Sequence, residues 1–115
     1  MKIKIIKKKI SLNQLKAMAQ AGFGDFVKAV VDTEKEIMAV DAELHADEEA
    51  ILLEKGSKQA NLWGINLYPN LKSSDWIEFD SMINLRPASC NCSRGVDNPQ
   101  IKKKIILIVN KLIEK

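Results

Sequence analysis

The stretch Trp76-Ile-Glu-Phe-Asp-Ser-Met-Ile-Asn-Leu-Arg86 alternates apolar and polar residues over almost its whole length. Ile77, Phe79, Ile83 and Leu85 fall on one side, and Glu78, Asp80, Asn84 and Arg86 on the other. A period of two is the signature of a strand with one buried face, because successive side chains point to opposite sides of a sheet. The run therefore predicts one long strand, a sheet for it to join, and a polar outer face. Pro87 ends the strand, since proline has no amide to donate to a ladder.

Working outward, the remaining elements fit an α+β pattern. Residues 2–7 alternate Lys and Ile and predict a short edge strand guarded by lysines. Ser11 suits a helix N-cap, Leu12, Leu15 and Ala19 supply an apolar stripe, and Gly22 a stop, giving a helix near 11–21. Phe26 to Asp32 is β-branched, Thr33 to Glu36 is a polar break, and Ile37 to Glu43 is the returning strand of a hairpin. Residues 46–55 read as a second helix, with acids against the positive end of its dipole and Gly56 after it. Leu62 to Tyr68 returns to strand character. Residues 88–98 form the longest irregular stretch, which marks it as either mobile or functional. A final helix over 99–114 is capped by Asp97 or Asn98, with Pro99 in its first turn.

Composition narrows the class. The chain has 115 residues, 46% of them hydrophobic and 29% charged, which suits a single globular domain over 1–115. No apolar run approaches the roughly 20 residues of a membrane span. The lysine-rich beginning lacks the continuous apolar segment of a secretory signal, so cytoplasmic residence is the expectation. Cys90 and Cys92, one residue apart, make a poor structural crosslink and an incomplete metal ligand set, so a reduced loop is the reading. The net charge of +3 conceals a segregation. Residues 1–16 carry six lysines and no acid, residues 102–115 five lysines against Glu114, and the middle is net negative. Such ends either complement the acidic middle or face a polyanion, but no aromatic residue is interleaved to stack on bases.

The chemistry gathers on the polar face. If the strands pair antiparallel, Met38, Val40, Trp63, Ile65, Ile77, Phe79 and Ile83 share a face covered by helices. The opposite face collects Asp41, Glu43, His45, Asn66, Tyr68, Glu78, Asp80, Asn84 and Arg86. Glu43, His45, Glu78 and Asp80 are candidate catalytic groups, as acid and base or as oxygen and imidazole ligands of a divalent metal. Asn66, Tyr68, Asn84, Arg86 and Arg94 are candidates to bind substrate, the arginines gripping an anion through paired N–H donors. A solvated sheet face with modest cross-strand ion pairs explains the same residues. There is no phosphate-binding glycine loop.

Glu43-Leu-His-Ala-Asp47, Leu62-Trp-Gly-Ile-Asn66 with Tyr68-Pro69, and the 76–87 run together resemble a family of small prokaryotic proteins containing a domain of unknown function. The resemblance spans nearly the whole chain and implies a single-domain unit, with no activity, cofactor or catalytic residue attached. The expectation is an α+β domain with an antiparallel or mixed sheet of about five strands and about three helices. Its function is expected to be ligand or partner binding, including self-association through the wide apolar stripe of the last helix. A small, metal-assisted hydrolase is the alternative, and nucleic-acid contact through the lysine-rich termini a weaker one.

Overall fold

In a computed structural model the described residues, 2–115, form one five-stranded sheet with three α-helices. The sheet contains β1 (Lys4–Ile6), β3 (Val27–Asp32), β4 (Ile37–Val40), β5 (Leu62–Leu67) and β6 (Ile77–Glu78), in the spatial order β1-β4-β3-β5-β6. Every neighbouring pair is antiparallel. The helices are α1 (Leu12–Ala21), α2 (His45–Glu54) and α3 (Pro99–Leu112). A parallel pair, β2 (Ile10–Ser11) with β7 (Ile113–Glu114), ties the two ends of the chain together.

Local signals account for most of these boundaries. Ser11 and Gln14 form a reciprocal capping box at α1, and Asn98 accepts hydrogen bonds from the amides of Gln100 and Ile101 at α3, with Pro99 first in that helix. The β3–β4 hairpin turns on Asp32, whose buried carboxylate accepts from the amides of Glu34 and Lys35 and from the Ser57 hydroxyl. Glu36 takes a left-handed conformation at the end of that turn (φ 56°). The returning strand stops at Val40, short of Glu43, because Asp41 is also left-handed (φ 71°) and turns the chain toward α2.

The two faces of the sheet differ. On one, α1 and α3 pack over Ala29, Val31, Met38, Val40, Trp63 and Ile65 with Leu15, Ile105, Val109 and Leu112. On the other, α2 packs on β3 and β4, and Val30, Ala39, Leu52 and Leu62 make a smaller apolar cluster. The expectation that all helices lie on one face, leaving the other to solvent, is corrected here. Alternation alone cannot say that a mixed face is half covered.

The long strand over 76–86 is also corrected: only Ile77 and Glu78 join the sheet, opposite Leu67 and Asn66, and Arg86 makes an isolated bridge to Asn91. Beyond them the chain crosses over β5, with Ser81 capping a short 3₁₀ turn, Met82–Asn84. The Asn84 carboxamide accepts from the Gly64 amide (2.8 Å) and donates to the Gly64 carbonyl (2.9 Å), so a side chain replaces the missing strand along that edge. Arg86 continues the substitution, donating to the carbonyls of Leu62 and Gln59 (2.6 Å each) while its guanidinium stacks on Trp63. The period of two between Asn84 and Arg86 is real, but their side chains pair with β5 and the backbone does not. Crossing requires Gly64: a Cβ there would lie 2.6 Å from the Ser81 Cβ. Ile83 consequently packs with the α2-side cluster, opposite to its expected face.

Candidate functional site

A half-open cleft of about 420 Å³ lies on the α2 side of the sheet. Its floor is set by strand register. Lys28 of β3 opposes Asn66 of β5, and Asn66 opposes Glu78 of β6, so these three side chains stand on one face in a row across adjacent strands. His45, the first residue of α2, closes one side. The segment 80–83, carried over β5 by the Asn84–Gly64 bonds, closes the other. Phe26 and Tyr68 supply an aromatic wall, their ring centroids 5.3 Å apart.

The polar contacts inside leave a definite remainder. Asn66 Nδ2 donates to Glu78 Oε1 (2.8 Å) and to the Asp80 carbonyl (3.3 Å). Both partners can only accept, which fixes the amide orientation. Asn66 is 7% exposed, and its Oδ1 has no hydrogen-bond partner. Glu78 Oε1 accepts a second bond from the Tyr68 hydroxyl (3.2 Å). Partial burial, reinforced by the nearby Glu78 carboxylate, pushes the Tyr68 hydroxyl above its ordinary pKa. Asp80 pairs with Arg94 at 2.8 Å. His45 Nε2 donates to the Ile65 carbonyl (2.8 Å), leaving Nδ1 as the acceptor nitrogen. Burial, reinforced by the nearby Lys28 ammonium, lowers its pKa, so the ring is neutral at physiological pH.

The irregular stretch 88–98 is held by one buried side chain. Asn91 Nδ2 donates to the carbonyls of Asn84, Ser93 and Gly95, and its Oδ1 accepts from the Asp97 amide. The Arg94 carbonyl is gripped by the Ser81 amide and the Asn84 side chain, which fixes Arg94 at the rim. Cys90 and Cys92 are both free and exposed in this loop.

Of the residues nominated from the sequence, His45, Asn66, Tyr68, Glu78, Asp80 and Arg94 line this cleft. Glu43 does not; it is exposed beside Ile3, Ala42 and Asp47. Asn84 is fully buried and Arg86 faces a separate hollow near Trp63 and Cys90, each occupied by backbone groups of β5 or its approach. Among the described residues no three His, Cys, Asp or Glu side chains are gathered to hold a metal ion. Sequence reasoning missed one cleft residue and, outside the cleft lining, one buried acid. Lys28 is the one charged residue inside the apolar run Val27 to Val31, and that interruption was its signal. The acids at the start of α2 suit its helix dipole, but His45, Glu48 and Leu52 recur at helical spacing and form the buried stripe of α2. Glu48 is wholly buried, accepts only the Ala42 amide, and burial pushes its pKa up to about 10.

Elsewhere, β2 and β7 bring the lysine-rich ends of the chain side by side, and Lys111 pairs with Glu36, an acid of the middle segment. Leu107 stands exposed on α3, while Ile113 is buried in β7. Among the described residues no helix is long and apolar enough to cross a membrane. No curated protein and no solved structure matches the chain. The sequence pattern of one family of proteins of unknown function matches residues 4–112, nearly the whole fold including every element that builds the cleft, and the chain belongs to that family, DUF5674.

Proposed function

We propose that the cleft beside the start of α2 binds a small polar organic molecule. The observation that carries this reading is a concave space of about 420 Å³ lined by two charges without an ionic partner among the described residues, Lys28 and Glu78, beside the Phe26 and Tyr68 rings. A ligand group that pairs with either charge makes a charge-assisted hydrogen bond, roughly twice as strong as a neutral one. The volume lies within the roughly 300–1,000 Å³ of small-molecule sites, and an aromatic wall beside a few convergent polar groups is their usual make-up. A fragment screen by two-dimensional amide NMR tests it. Fragments carrying a donor are expected to shift the amides of His45, Asn66 and Glu78, with affinity falling about ten-fold or more in Asn66→Ala. A screen in which no fragment moves those resonances would refute the site.

A hydrolytic reading has one observation in its favour: a histidine whose pKa burial lowers, lining the same space as two carboxylates. Among the described residues, that chemistry would rest on His45 as general base. It is decided by whether a ligand found in the screen is turned over.

A further inference from the structure

The row across the cleft floor has a charge pattern of its own. Lys28, Asn66 and Glu78 occupy directly opposed positions on three adjacent strands. Neighbouring strands are about 4.8 Å apart, so Lys28 and Glu78 are separated at their backbones by about 10 Å with the neutral amide between them. Among the described residues, neither end of this row has an ionic partner. The Lys28 ammonium lies 5.3 Å from the centre of the Phe23 ring and pairs with no carboxylate. Glu78 accepts only from the neutral Asn66 and Tyr68 side chains. The remaining charges of the cleft, Asp80 and Arg94, neutralise each other. What is left is one cation at one end, one carboxylate at the other, and a neutral amide between them.

We infer that the ligand of this cleft is a small zwitterion of the amino-acid class, its carboxylate on Lys28 and its ammonium toward Glu78. The chemistry is complementary on each count. An ammonium is a donor without lone pairs, which suits the Glu78 carboxylate, and a carboxylate can only accept, which suits Lys28. Charge-assisted bonds of this kind are roughly twice as strong as neutral ones. The apolar body of the ligand would lie against Phe26 and Tyr68. A purely anionic molecule would leave Glu78 facing like charge, and a purely cationic one would do the same to Lys28, so the site discriminates by repulsion as well as attraction.

This inference rests on the small-molecule reading of the cleft, and blocked analogues separate the two. Binding of phenylalanine and leucine to the wild-type protein is measured by amide NMR titration beside the N-acetyl, carboxamide and doubly blocked forms of each. A phenylalanyl–leucine dipeptide distinguishes a free amino acid from a chain terminus as the source of the two charges. The expected result is tightest binding by a zwitterion, with each single block weakening it about ten-fold. Lys28→Met should abolish discrimination against the carboxamide, and Glu78→Gln discrimination against the N-acetyl form. Equal or tighter binding of a blocked analogue would overturn the zwitterion while leaving the cleft a ligand site. The same holds if fragments occupy the cleft but no amino acid or dipeptide does. The wild-type comparison needs no variant to fold.

Discussion

The two faces of the sheet are built from the same strands to opposite ends. The face under α1 and α3 is apolar throughout, from Leu15 and Ala19 to Ile105, Val109 and Leu112. The face under α2 has four buried apolar residues in its cluster, and the same side of the molecule buries Asp32, His45, Glu48, Asn66 and Asn84. Apolar burial is non-directional and contributes stability in proportion to area, at about 25 cal/mol per Å². Buried polar groups contribute little net stability when matched and destabilise when unmatched, yet they hold one another in fixed directions. One face therefore supplies the stability that lets the other keep unmatched groups such as Asn66 Oδ1 and a desolvated acid such as Glu48.

The largest expected effect lies on the apolar face. Leu15→Ala removes a fully buried side chain, and denaturant unfolding should show a loss of about 3–5 kcal/mol. Cleft resonances should stay where they are in the folded fraction; if they move, the two faces are not separable. Asn84→Ala strikes the hinge between stability and site. It leaves the Gly64 amide and carbonyl and the Arg94 carbonyl without that partner, for a loss of about 2–3 kcal/mol. Unlike Leu15→Ala, it should also shift the resonances of Ser81 and Arg94. A clean stability loss with the 80–94 segment unmoved would mean that Asn84 does not carry that segment.

The smallest change has the opposite sign. Glu48 has a folded-state pKa of about 10 against an ordinary 4.5, so the folded state holds a proton that the unfolded state releases as pH rises between those values. Stability therefore declines across that window and levels off outside it. Glu48→Gln removes this titration and should raise stability at pH 7 by about 1–3 kcal/mol, with unfolding curves that no longer weaken from pH 5 to 9. What remains is the contribution of His45. Its folded pKa is depressed below 6.5, so the unfolded state takes up the proton first and stability falls on the acid side of that value. A wild type whose stability is flat from pH 5 to 9 would contradict a protonated, buried Glu48.

Much of the fold was readable from local chemistry. Ser11 with Gln14, Asn98 with Pro99, and the polar break after Asp32 act within a few residues of themselves, so their meaning does not depend on distant chain. Six of the nine nominated site residues meet in the cleft for a related reason: residues that alternate along strands must share a face once the strands pair. The failures share one cause. In the 76–86 run, Asn84 and Arg86 keep the spacing of a strand while using side chains to pair with β5, and no pattern within the run separates the two cases. Glu48 resembles its exposed neighbours in everything but the helical face it occupies, and that face became buried only because α2 crossed to the other side of the sheet.

By itself, then, the amino-acid sequence determined the class of the fold, the capped starts of the first and last helices, the hairpin and the family, because caps, turns and hydrophobic periods are short-range properties of the chain. The last helix, expected to reach 114, stops at Leu112 because Ile113–Glu114 pairs with Ile10–Ser11. Only the tertiary structure decided which face α2 covers, that residues 79–86 cross β5 beside Gly64 instead of extending the sheet, and that Lys28, Asn66 and Glu78 line up across three strands. Those outcomes depend on strand order and register, which are set by packing among residues far apart in the chain and so are not written in any one segment of it.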